Sequence, residues 1–181
     1  HHMLGNAQFS LFAMAPKFDE QGRMAHIGLL AFNQVIGTEI RDSGGHNSAL
    51  HIWSHSFAQG SSRPYEGKPY NIVGNTVRHN VIAGGSEAAQ FKNQVPGYWQ
   101  APPDHRLWAF DPATTSGIEF NGAYNLIEDN FVIGMPVGIR VRGDGPGNLI
   151  HQNRIDHAET RVLDPDGQAT VVPSPNQEDV P

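Results

Sequence analysis

The chain has 181 residues, with 20 Gly, 13 Pro and 17% charged residues, which fits one globular domain and not a disordered or coiled-coil chain. Its net charge of −6, with 12 scattered basic residues, leaves no Lys/Arg stripe for a phosphate backbone, and no apolar run reaches the roughly 18 residues of a membrane span. Cysteine is absent, which sets aside a disulfide scaffold, thiol catalysis and a Cys-ligated zinc site.

From the N-terminus, His1-His2-Met3 reads as the remnant of an affinity tag, and residues 4–24 read as a cap. Their apolar stretch, 9–15, followed by Pro16 and a polar turn, suits an edge element covering the first layer of a strand stack. One pattern, N-x-[VI]-x-x-[NT]-x-[IV], then occurs four times. The copies run from Asn33 to Ile40, Asn75 to Ile82, Asn125 to Val132 and Asn148 to Ile155, their starts separated by 42, 50 and 23 residues. With a bare period of 23, the first two gaps carry insertions, which repeat architectures place in loops on one side.

Each copy is too short for a helix pair and is rich in β-branched residues between Asn and Gly, so the unit must be built of short strands and turns. A second strand signal precedes three copies: Ser48-Ala49-Leu50-His51-Ile52-Trp53, Ser116-Gly117-Ile118-Glu119-Phe120 and Val137-Gly138-Ile139-Arg140-Val141. Three strands per unit, stacked unit on unit, predict parallel strands about 4.8 Å apart, with Val35, Ile40, Val77, Ile82, Ile127, Val132, Ile150 and Ile155 in the core. Thr38, Asn80, Asn130 and Asn153 would then stack at a bend as a ladder. Coils are expected at 26–47, 48–85, 116–136 and 137–159, and Arg161-Val162-Leu163 begins a fifth. Asp164-Pro165-Asp166-Gly167 is a turn and 168–172 a strand, closing a domain over 4–172, with an acidic, Pro-rich tail or linker at 173–181.

At these motifs, over about residues 26–163, the chain resembles the pectate-lyase-like superfamily, whose repeats read N-x-I-x-x-N-x-F followed by a Gly-Ile-x-Val strand. The resemblance implies an all-β fold: a right-handed parallel β-helix of four to five coils with two long loop insertions. It implies a carbohydrate-active protein that acts on or binds a polysaccharide, a polysaccharide lyase or glycoside hydrolase among the enzymes, in an extracellular or periplasmic setting. The alternative is a non-catalytic module for adhesion, binding or structure, including a fragment of a larger protein, since five coils span only about 24 Å. The Asn-Thr-Asp, Asp-Asp and Gly-His-Gly signatures of the best-known hydrolase branch are missing, and Gly44-Gly45-His46-Asn47 is a partial echo, so no catalytic residue is carried over.

Strand alternation turns His51, Glu119, Arg140 and Arg142 away from the core, with the first three in one file. A sugar-acid lyase needs a cation for the uronate carboxylate and a base for the proton beside it. His51 is the candidate base and Arg140 the candidate neutraliser, or the acid for the leaving oxygen; the bland alternative is a solvated ladder pairing Glu119 with Arg140. The insertion at 86–115 adds Tyr98, Trp99, His105, Arg106, Trp108 and Asp111 as candidate substrate contacts. Asp104 and Asp111, with Glu119, form a second candidate pair for glycosidase acid–base work. His46, His51 and His55 invite a metal, but no H-E-x-x-H or Cys supports zinc and no ligand is assigned; by resemblance, calcium is the ion to test. Leu126 and Leu149 should leave an apolar patch on a second sheet, under a loop or against another copy or domain.

Overall fold

The structure is a computed structural model, described at residues 2–4, 9–13, 17–21, 24–26, 28–43, 48–54, 70–84, 116–143 and 145–175. All regular structure among these residues is β. The N-terminal part holds β1 (His2–Leu4), β2 (Phe9–Ala13) and the antiparallel pair β3 (Lys17–Phe18) and β4 (Met24–His26). A first round follows with β5 (Leu30–Ala31), β6 (Gln34–Ile36), β7 (Glu39–Ser43) and β8 (Ser48–Ser54). The second has β9 (Ile72–Val73), β10 (Thr76–Arg78), β11 (Val81–Gly84) and β12 (Ser116–Asn121). The third has β13 (Leu126–Glu128), β14 (Phe131–Ile133) and β15 (Val137–Arg142). The fourth has β16 (Asn148–His151), β17 (Arg154–Asp156) and β18 (Thr160–Leu163), and β19 (Ala169–Val172) ends the series.

Apart from the antiparallel pair β3–β4 and a short parallel pair β5–β9, the strands enter three five-stranded parallel sheets in rotation. One sheet runs β6-β10-β13-β16-β19, the next β1-β7-β11-β14-β17 and the third β2-β8-β12-β15-β18. The four sequence copies are therefore the β6–β7, β10–β11, β13–β14 and β16–β17 pairs, in register with Val35, Val77, Ile127 and Ile150 opposite one another. The segment predicted as a cap, residues 4–24, supplies β2, an edge strand added in parallel to β8, while β1, which takes two of its three residues from the stretch read as a tag remnant, is the edge strand parallel to β7.

Alternation explains the core. Alternate residues of the repeat strands point inward, and all eight predicted positions are buried together with Leu50, Ile52, Ile118, Phe120, Ile139 and Val141. Each such side chain contributes about 1.5–3 kcal/mol of burial. Gly117 and Gly138 lead the third-sheet strands because a methyl group there would run into Val132 and Ile155 of the neighbouring sheet.

Two asparagine ladders tie the rounds at their bends. The predicted one is present: Thr38 N–H donates to Asn80 Oδ1 at 2.8 Å, Asn80 Nδ2 to Asn130 Oδ1 at 2.8 Å and Asn130 Nδ2 to Asn153 Oδ1 at 2.8 Å. A second ladder joins the first Asn of every copy, with Asn33 Nδ2 donating to Asn75, Asn75 to Asn125 and Asn125 to Asn148, at 3.0, 3.1 and 3.0 Å. Buried amides need such partners, and an amide stacked on its own kind both donates and accepts.

Candidate functional site

The third sheet brings His51, Glu119 and Arg140 into register on β8, β12 and β15, one position out of phase with the core residues on either side. Their side chains converge on one carboxylate. Glu119 Oε1 lies 3.3 Å from His51 Nε2 and 2.7 Å from Arg142 Nε, and Oε2 lies 3.8 Å from Arg140 Nε. The Ser48 hydroxyl donates to Oε2 at 2.8 Å, and the Ser116 hydroxyl shares a 2.8 Å hydrogen bond with Ser48.

Alternation turned this file away from the core, and one of its two readings was a solvated ladder; the structure buries it. Glu119 is 2% exposed, His51 5% and Arg140 7%, while the Arg142 side chain keeps 33% of its surface. Burial alone pushes the Glu119 carboxyl up, but the contact and charge of His51, the charge of Arg142 and the Ser48 hydroxyl together hold it below its ordinary value of 4.5. The carboxylate is thus ionised and compensated from three sides.

Ser48 and Ser116 were not singled out in the sequence, although each stands three residues before its partner in the file, His51 and Glu119 respectively. The candidate contacts Tyr98, Trp99, His105, Arg106, Trp108 and Asp111, with Asp104, and the histidines His46 and His55, lie outside the described residues. Among the described residues no group of three or more His, Cys, Asp or Glu is placed to hold a metal ion. Calcium does not fit the Glu119 cluster, because the ion needs six to eight oxygen ligands and the one carboxylate here is surrounded by two guanidinium groups and an imidazole.

On the second-strand sheet face, Leu126 and Leu149 stand in register and half-buried, beside a more open file in which Glu128 approaches Arg78 at 4.0 Å and His151 at 3.8 Å. No helix among the described residues is long and apolar enough to cross a membrane. Comparison of the chain with known protein families, with curated proteins and with solved structures returns no match.

Proposed function

We propose that the rounds are coils of a right-handed parallel β-helix that binds polysaccharide without cleaving it, in an extracellular or periplasmic setting, with the Glu119 cluster fastening neighbouring coils. The observation that carries this reading is the pairing of a buried Glu119 with His51, Arg140 and Arg142. A general acid or base has to reach its substrate and works best with a value tuned toward neutral pH. Glu119 is shifted the other way and is enclosed, which suits an ion-paired strut. The test is calorimetric titration of the protein with neutral and acidic oligosaccharides, together with product analysis. Binding without cleavage supports the reading; turnover of any member defeats it.

One observation favours the lyase as a second reading: His51 is held by Glu119 as a base is held by an orienting carboxylate, with Arg140 one strand further along. Incubation with pectate, alginate and chondroitin, with and without calcium, followed by absorbance of the unsaturated product, separates the two. If lyase activity appears, His51→Ala should abolish it. Trp99→Ala and Trp108→Ala ask whether the 86–115 insertion contributes to any binding that is found.

A further inference from the structure

The four residues that precede the asparagines of the second ladder, Phe32, Gly74, Tyr124 and Gly147, all have left-handed backbone, with φ of 56, 66, 56 and 72°. They form one column across the coils. Phe32 N–H donates to Val73 O at 3.1 Å, Gly74 N–H to Ala123 O at 3.0 Å and Tyr124 N–H to Pro146 O at 2.9 Å. Glycine takes this conformation freely, whereas a bulky L-residue there costs about 1–2 kcal/mol. Two of the four positions show that glycine suffices, and the other two carry aromatic rings instead.

Those rings are not spent on the core. Phe32 is 78% exposed and Tyr124 62%. Each leans over the glycine of the next coil: a methyl group built on Gly74 would stand 2.7 Å from the Phe32 ring, and one on Gly147 would enter the Tyr124 ring. The alternation of aromatic and glycine thus gives each ring a seat on bare backbone and leaves most of it in water. Two coils separate the rings, or about 9.5 Å along the stack. The outward residues beside the first two members of the column, Gln34 and Thr76, are in register and offer hydrogen bonds without charge.

We propose that Phe32 and Tyr124 form a strip that binds a neutral glycan chain laid along the coils, one pyranose ring stacking on each aromatic ring. The inference rests on the reading of the protein as a polysaccharide binder and adds where the chain lies and that it is uncharged. Two separated rings at a bend match pyranose units, each of which offers a small apolar face rimmed by hydroxyls. A proline-rich peptide needs a groove between aromatics, and the outward file beside the column, Gln34, Thr76, Leu126 and Leu149, carries no charge to recognise a charged chain.

The test is calorimetric titration with neutral hexasaccharides of β-1,4-linked glucose, xylose, mannose and galactose, and with hexagalacturonate. The protein is compared with Phe32→Gly, Tyr124→Gly and the double variant. Glycine is the appropriate replacement because Gly74 and Gly147 already occupy the same backbone, and a thermal melt verifies that folding is kept. A neutral hexasaccharide should bind the parent, each variant should bind it about 5- to 10-fold more weakly and the double variant should show no binding, while Tyr124→Phe stays within about twofold of the parent. Unchanged affinity in the glycine variants overturns the strip but leaves the polysaccharide reading standing. Binding of hexagalacturonate alone overturns the neutral class, and a parent that binds nothing in the panel overturns both.

Discussion

Asn130 Oδ1 accepts two hydrogen bonds from Asn80, one from the side-chain Nδ2 at 2.8 Å and one from the backbone N–H at 3.1 Å. Asn130 also donates through its own Nδ2 to Val77 O at 2.9 Å and to Asn153. One amide therefore closes contacts with the rounds of strands on both sides.

Asn130→Ala should cost about 2–4 kcal/mol, because it strands buried donors on Asn80 and a buried carbonyl at Val77 in addition to removing its own bonds. Urea denaturation followed by circular dichroism would measure it. A loss below about 1 kcal/mol would mean that water replaces the rung and that the ladder is not a fastening.

The Glu119 cluster predicts an order of effects. Glu119→Met leaves the Arg140 and Arg142 guanidinium groups without their counter-charge and the His51 ring without its acceptor, and should destabilise by about 3–5 kcal/mol. Arg140→Met should cost less, since Glu119 keeps His51, Arg142 and the Ser48 hydroxyl. Equal losses in the two unfolding curves would show that Glu119 is not the hub.

Acid should act through the same carboxyl. Because its value is lower in the folded state than the ordinary 4.5, the carboxylate adds stability above that pH, and the contribution is lost as pH falls below it through the folded value. Denaturation midpoints measured between pH 3 and pH 7 should therefore drop below pH 4.5 more steeply in the parent than in Glu119→Gln. Parallel profiles would contradict the lowered value.

Gly138→Ala should destabilise by about 1–3 kcal/mol, since the added methyl meets the Ile155 side chain and the Arg161 carbonyl, and the latter is backbone that cannot swing away. A variant as stable as the parent in urea would mean that the third sheet can move outward at this coil.

His79 tests the bend that precedes the predicted ladder. It has φ 55° at the position held by Gly37, φ 64°, in the first round, and its side chain is exposed. His79→Gly should raise stability by about 0.5 kcal/mol through relief of the left-handed strain, and His79→Val should lower it by about 1 kcal/mol or more. Urea midpoints of the two variants on either side of the parent would confirm the sign.

The strand face, the core and one ladder were legible in the sequence because their causes are local and periodic. Alternation fixes which side of a strand Ile118 and Glu119 occupy, and the repeat of Asn80, Asn130 and Asn153 at one offset makes them neighbours as soon as the strands stack. The file of His51, Glu119 and Arg140 followed from the same arithmetic. Its burial did not, because how much water reaches an outward side chain depends on what lies over the sheet, and no periodicity within the strand encodes that. The convergence of Ser48 and Arg142 on the Glu119 carboxylate was likewise settled by tertiary packing, since it joins strands β8, β12 and β15 through side-chain reach and not through register alone. The aromatic and glycine column was hidden for a related reason: Phe32 and Gly74 lie 42 residues apart, and only the stacking of their bends sets the ring against the bare backbone that has room for it.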